Sequence, residues 1–280
     1  MTDPVEEIVD AVAGTAPEVR AGLAGRRVYE SDENPSGERQ LEADVYADEL
    51  LAGRLLDIEA VGGYASEERD DVLGSGGRLH VACDPLDGSS NLKSNNAMGT
   101  LFGVYEEPLP APGSALVAAG YVLFGPITTM VVAREGSVAE WVIDEDGRER
   151  IADDLRLPEE PTVYGFGGRV PEWTDAFAEY VREVEDELKL RYGGAMIGDV
   201  NQVLTYGGIF GYPMLADRPA GKLRLQFEGH PIAAIVSMAR GASSDGEQSL
   251  LDRTPSRLHE RSPLFVGNES LIDRLESTVA

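Results

Sequence analysis

Between residues 97 and 143 the chain runs through four apolar segments, at 100–105, 115–124, 128–133 and 138–143, each closed by Pro or Gly punctuation. Segments of this length, rich in Val, Thr, Tyr and Phe and separated by turns such as Glu135-Gly136 and Asp146-Gly147, read as strands. Such a block forms antiparallel sheet, and the rest of the chain must cover its faces. Two amphipathic helices precede it. Ile8, Val9, Val12, Val19 and Leu23 mark one over residues 5–24. After a polar break at 31–37, Leu41, Val45, Leu51, Leu55 and Ile58 mark the other. Gly62-Gly63, the acidic Glu67-Glu68 and a Gly-rich turn at 74–77 follow, and residues 79–83 are a short apolar strand running into Asp84-Pro85.

A polar, Pro-bearing stretch at 153–161 marks a boundary, dividing the 280 residues into domains 1–157 and 158–280. The second half predicts a strand, a helix over 172–190, a Gly-rich turn and a helix over 196–206. The segment 222–228, a helix from 231 to 240, a strand at 264–266 and a short helix complete it. The mixture is layered α/β with substantial antiparallel sheet, and a 42% apolar content suffices for a core at this length.

Charge narrows the function. Asp plus Glu number 50 against 24 Lys plus Arg, a formal charge of −26, which excludes a generic nucleic-acid binder. Only three of the cations are lysines, Lys93, Lys189 and Lys222. Excess carboxylate with scarce lysine suits a surface kept hydrated in concentrated salt. No apolar run reaches the ~18 residues of a membrane span, and the N-terminal MTDPVEEIVD is too acidic for a signal peptide. The lone Cys83 excludes an intrachain disulfide and fits a reducing compartment. The expectation is a soluble, cytoplasmic protein with no membrane or nucleic-acid partner.

The sharpest chemistry lies in Asp84-Pro85-Leu86-Asp87-Gly88-Ser89-Ser90-Asn91. Two carboxylates three residues apart can converge on hard cations such as Mg²⁺, and Leu86 can add its carbonyl oxygen. Gly88, Ser89 and Ser90 offer consecutive N–H groups and hydroxyls, and a helix starting there would favour a phosphate oxygen. Metal ligands beside an anion cradle are what phosphate-ester hydrolysis requires. The plainer reading is a capped turn, with Asp87 or Ser89 as helix cap. His80, His230 and His259 make no metal-spaced pair and read as structural. No Asp-x-Asp-x-Thr/Val phosphoenzyme motif or P-loop is present, so direct attack by water is preferred.

This octapeptide resembles the metal-binding signature of the lithium-sensitive, magnesium-dependent sugar phosphatases. Three later segments narrow the resemblance to class I fructose-1,6-bisphosphatase: Arg191 to Val200 (RYGGAMIGDV), Tyr206 to Pro213 (YGGIFGYP) and Lys222 to Glu228 (KLRLQFE). The resemblance implies a layered αβαβα sugar-phosphatase fold with mixed, largely antiparallel sheets. It implies hydrolysis of the 1-phosphate of fructose 1,6-bisphosphate, a gluconeogenic step. Sedoheptulose 1,7-bisphosphate or an inositol phosphate is the alternative substrate for the same metal chemistry. Two or three Mg²⁺, with Mn²⁺ possible, would sit on Glu67, Asp84, Leu86, Asp87 and Glu228. Glu68 and Asp44 would assist proton removal from the attacking water, with Glu38 on a mobile loop. Gly88, Ser89 and Ser90 would hold the reacting phosphate, and Gly194 and Met196 would contact the sugar. Arg191, Tyr192, Tyr212 and Lys222 would form the 6-phosphate pocket, Arg191 reaching into a neighbouring chain of a homodimer or homotetramer. Read singly, Glu67 and Glu68 are a solvated acidic turn, Glu228 a helix-start acid and the tyrosines packing residues.

The chain also departs from the pattern. Gly167 stands where the family has an asparagine at the 6-phosphate, and Ala195 where it has a serine. The N-terminal nucleotide motif is missing and Arg78-Leu79 replaces Lys-Tyr, so an allosteric AMP site is expected to be absent.

Overall fold

The computed structural model describes residues 3–27, 29–33, 39–74, 76–216 and 218–279. Glu38 lies outside them. Helix α1 spans Pro4–Gly22, started by Asp3, whose side chain accepts the Val5 N–H at 3.1 Å. Strands β1 (Tyr29–Glu33) and β2 (Arg39–Leu41) pair antiparallel, and α2 spans Glu42–Leu56. Seven strands then form one sheet in sequence order: β3 (Val61–Ser66), β4 (Leu79–Asp87), β5 (Met98–Tyr105), β6 (Leu116–Phe124), β7 (Thr128–Arg134), β8 (Ser137–Asp144) and β9 (Gly147–Ala152). Only β3 and β4 run parallel; the other pairs are antiparallel.

Beyond residue 157 come β10 (Val163–Phe166), α3 (Asp175–Glu187), β11 (Lys189–Leu190), α4 (Met196–Tyr206), β12 (Gly208–Tyr212) and β13 (Leu223–Arg224). They are followed by α5 (His230–Met238), β14 (Ala242–Ser244), β15 (Arg261–Ser262), β16 (Leu264–Gly267) and α6 (Glu269–Val279). A mixed five-stranded sheet has the order β11-β10-β12-β16-β14, and β13 pairs with β15 as a small ribbon.

Strand alternation decides how these pieces stack. Phe102 and Val104 of β5, with Val122 and Met130, turn to the face covered by α1 and α2, meeting Ile8, Val12, Leu51 and Leu55. Their neighbours Leu101, Tyr121 and Val131 turn the other way, onto Ile197 and Val200 of α4 and Ile232 and Val236 of α5. Phe210 and Val266 of the second sheet close on the same helices from beyond. That sheet's far face carries Ile209 and Phe265, packed on Phe177, Tyr180 and Val184 of α3 and Leu271 and Leu275 of α6. The result is five layers, αβαβα, as the resemblance implied.

Several local expectations change. The helix expected over 172–190 starts at Asp175, where the Thr174 hydroxyl accepts the Phe177 N–H at 3.2 Å, and ends at Glu187. Lys189 and Leu190 then extend because they pair with β10. Of 222–228, only Leu223–Arg224 is strand; Leu225–Gly229 is a single π turn leading into α5. Ser89–Leu92 forms one 3₁₀ turn rather than a helix, so no long helix dipole stands behind the expected phosphate cradle. Among the described residues no helix is long and apolar enough to cross a membrane.

Candidate active site

The site begins at the end of β4. The Asp84 carboxylate accepts the Leu86 N–H at 3.0 Å, and the buried Thr100 hydroxyl of β5 donates to the Pro85 carbonyl at 2.9 Å, so the turn is fixed from both sides. Gly88 then takes φ +73°, and a Cβ there would lie 2.2 Å from that of Ala195. Only glycine satisfies both the left-handed backbone and that contact. Asp87 is held from across the molecule: its carboxylate accepts the Ile197 N–H at 2.8 Å, in the first turn of α4.

The parallel pairing of β3 with β4 sets Ser66 opposite Cys83, and the Glu67 N–H continues the ladder to the Cys83 carbonyl at 3.0 Å. Glu67 therefore emerges beside Asp84. Glu228 arrives from the π turn, its carboxylate accepting the Arg224 N–H at 2.6 Å. Ligand oxygens of Glu67, Asp84 and Glu228 lie within 4.8 Å of one another, all three side chains buried. One wide turn thus aims a carboxylate from 144 residues away in sequence at a loop already fixed on another sheet.

Three buried carboxylates this close repel one another. Burial, then the charges of Glu67, Asp87, Glu228 and Glu68, holds the Asp84 carboxyl well above the usual range. Burial and Glu67 do the same to Glu228, against the pull of Arg224. Asp87 is pushed up to about 7 by burial, with the Ile197 N–H opposing. The donors are all hard oxygens, and Glu67 Oε2 is buried with no hydrogen-bond partner. That set fits divalent cations of the Mg²⁺ type.

These groups share one cleft of about 460 Å³. Asp44, Glu68, Leu86, Gly88, Ser89 and Ser90 line it with the carboxylates, as do Gly194, Met196, Tyr212 and Lys222. Asp44 has a second task, since it accepts the Leu41 N–H at 2.7 Å and so caps α2. Lys222 Nζ lies 5.3 Å from the Tyr212 ring centroid, and the Tyr212 and Tyr192 hydroxyls are hydrogen bonded at 2.8 Å. Tyr192 thus adjoins the cleft through Tyr212. Arg191 is not brought in: it is exposed, and its backbone N–H is committed to the Tyr164 carbonyl at 2.7 Å.

Sequence reasoning missed Arg224. It is buried, pairs with Glu67 at 2.9 Å and lines the cleft. Its signal was alternation, because an extended Lys222-Leu223-Arg224 puts both cations on one side. It also missed Asp199, whose carboxylate accepts the Gly193 N–H at 2.6 Å and is pushed up to about 6 by burial. Cys83 is fully buried, and burial raises its thiol well above the ordinary value. His259 bonds the Arg69 carbonyl at 2.8 Å, and His230 is fully buried. No histidine joins the acidic cluster among the described residues.

Comparison with known proteins gives one answer along the whole chain. Residues 9–151 match the family model of the fructose-1-6-bisphosphatase N-terminal domain, and residues 157–280 that of the C-terminal domain. A fructose-1,6-bisphosphatase class 1 of Natronomonas pharaonis is 73% identical, with all of both chains covered. Its counterpart in Halobacterium salinarum is 60% identical, covering 100% of this chain and 98% of the relative. The crystal structure of Leishmania major fructose-1,6-bisphosphatase in holo form superposes with a TM-score of 0.93 at 27% identity, covering 98% of this chain and 94% of that one. With both domain models matched and such identity over its full length, the chain belongs to the class 1 fructose-1,6-bisphosphatase family.

Proposed function

We propose that this chain is a phosphoric monoester hydrolase that removes the 1-phosphate of fructose 1,6-bisphosphate, giving fructose 6-phosphate and phosphate. The observation that carries the reading is one cleft lined by two sets of anion-directed groups. Carboxylates and residues Gly88 to Ser90 form one set; Lys222 and Tyr212, whose hydroxyl meets that of Tyr192, form the other. A phosphatase of simple monoesters has no use for the second.

Glu67, Asp84, Asp87, Glu228 and the Leu86 carbonyl would hold two or three Mg²⁺, or Mn²⁺ in their place. Bound there, the cations supply Lewis acidity for the attacking water and neutralise phosphoryl charge. Glu68 and Asp44, on the cleft wall, take the proton from that water as its oxygen bonds to phosphorus and the bond to the sugar oxygen breaks. The amides and hydroxyls of Gly88, Ser89 and Ser90 grip the equatorial phosphoryl oxygens. Gly194 and Met196 contact the sugar through their backbone, and Lys222, Tyr212 and Tyr192 bind the 6-phosphate. Division at 157/158 puts most of the metal-directed carboxylates in the first half and the sugar-directed residues, with Glu228, in the second, a reading supported by the limits of the two family models. The buried Cys83 thiol supports a reducing, cytoplasmic setting.

Arg191 serves the 6-phosphate of a second copy in a homodimer or homotetramer; its exposure away from this chain's cleft supports that role. Mixing Arg191→Ala chains with inactive Asp87→Asn chains should restore tight-KM activity once hybrids form. Verified hybrids without recovery would place Arg191 outside any neighbour's site.

The reading as a whole is tested by phosphate release in molar KCl with Mg²⁺. Fructose 1,6-bisphosphate should give the highest kcat/KM, above sedoheptulose 1,7-bisphosphate and inositol monophosphates. Equal or faster turnover of an inositol monophosphate would sink the assignment.

A further inference from the structure

The anion-directed groups of the cleft come from both halves of the chain, and Gly193 is one of the places where the halves are tied together. The Gly193 carbonyl accepts two side-chain amides, Asn91 Nδ2 at 2.9 Å and Asn96 Nδ2 at 2.8 Å. Its N–H donates to Asp199 in the first turn of α4. Asn91 directly follows Ser89 and Ser90, and the other hydrogen of its amide goes to the Ala97 carbonyl at 2.8 Å. Asn96 is fixed in turn, because its Oδ1 accepts the Ala97 N–H at 2.9 Å and its own N–H bonds the Asn91 carbonyl at 3.0 Å. The orientation of both amides is determined: a carbonyl only accepts, so each must present nitrogen to Gly193. Asn95 adopts φ +56°, a left-handed conformation asparagine tolerates better than most residues, and this turns residues 91–97 back toward Gly193. Gly193 lies between Tyr192, which meets Tyr212 of the cleft wall, and Gly194, which lines the cleft.

We propose that Asn96 is a positioning residue: with Asn91 it clamps the 191–194 turn to the phosphate-cleaving loop, fixing the span between the two phosphate sites and hence the length of bisphosphate that fits best. This rests on the reading of the cleft given above. Asn96 touches neither the carboxylates nor the cleft lining, and its bond to Gly193 crosses about a hundred residues of sequence, so it ties two segments that no strand pairing joins.

The test uses the full-length enzyme with Mg²⁺ and three substrates: fructose 1,6-bisphosphate, a heptulose 1,7-bisphosphate and a 1-phosphomonoester lacking the second phosphate. Losing one neutral hydrogen bond at an exposed clamp corresponds to about five-fold. Asn96→Leu, nearly isosteric but without donors, should raise KM for the hexose bisphosphate about five-fold with kcat nearly unchanged. It should narrow the preference for hexose over heptose and leave kcat/KM on the monoester as in wild type. Asn96→Gln, which keeps the amide, should recover part of the KM. Unchanged KM in Asn96→Leu overturns the clamp, as does an equal loss on all three substrates with a lowered thermal midpoint, the mark of a merely structural residue. A wild-type enzyme that cleaves the monoester as well as the bisphosphate overturns instead the underlying reading of the cleft, and that is measured before any variant is made.

Discussion

At the residue scale, the acidic cluster is a site assembled at a cost to the fold. Asp87 sits near 7 when no cation is present, against an ordinary value of 3.8. Between those two values the folded chain keeps a proton that the unfolded chain releases, so stability falls as pH rises through the window. Cations bind the deprotonated form, and their stabilisation grows over the same range. Thermal midpoints without divalent metal should therefore decline from about pH 5 to pH 8, and the increment given by Mg²⁺ should be larger at the higher pH. An increment independent of pH would mean that these carboxylates are not the ligands. Asp87→Asn keeps the shape, and the amide oxygen can still accept the Ile197 N–H, but one anionic ligand is lost. It should lower kcat by roughly 10²-fold, the scale of removing one electrostatic stabiliser, and near-normal turnover at saturating Mg²⁺ would refute the role. Most of this site was legible because its residues lie in short motifs. Arg224 was harder to see: alternation sets it on the side of Lys222, but one arginine among many is not singled out until β13 brings it against Glu67.

At the scale of elements, hydrophobic pattern worked wherever it was continuous. β5 to β8 and both N-terminal helices fall within a few residues of where apolar periodicity puts them. It failed at β3, because Gly62-Gly63 reads locally as a turn. The structure supplies the reason for those glycines: a Cβ on Gly62 would lie 2.1 Å from the Gly77 carbonyl oxygen, and one on Gly63 2.6 Å from the His80 ring. The strand is glycine-rich because residues 77–80, leading into its parallel neighbour, approach so closely, a tertiary fact invisible to a local window. β9 was missed for the opposite reason, as none of its residues is buried and half are charged. Gly62→Ala should destabilise the protein by about 1–3 kcal/mol, the range of overpacking, and weaken Mg²⁺ binding with it, since β3 delivers Glu67. Urea midpoints with and without Mg²⁺ measure both effects; wild-type stability would show that the neighbouring segment yields freely.

At the scale of the whole molecule, the formal charge of −26 is spread over a chain whose arginines are in part already engaged. Arg134 pairs with Asp3, Glu6 and Glu135, and Arg148 with Glu6 and Asp10, pinning α1 to the large sheet. The remaining repulsion strengthens as the Debye length grows from about 3 Å at 1 M salt to about 10 Å at 0.1 M. Thermal midpoints should accordingly climb with KCl, and a flat midpoint would make the acidic surface incidental. The five-layer stack has a different consequence. Its middle layer, α4 and α5, is roof to one sheet and floor to the other, so neither half of the chain owns the central core. A fragment ending near residue 157 would leave Leu101, Tyr121 and Val131 bare to water, an adhesive plane across its sheet. The two halves are therefore interlocked as a single melting unit, and a nascent chain leaving the ribosome must wait for its last hundred residues before its first sheet is safe from aggregation.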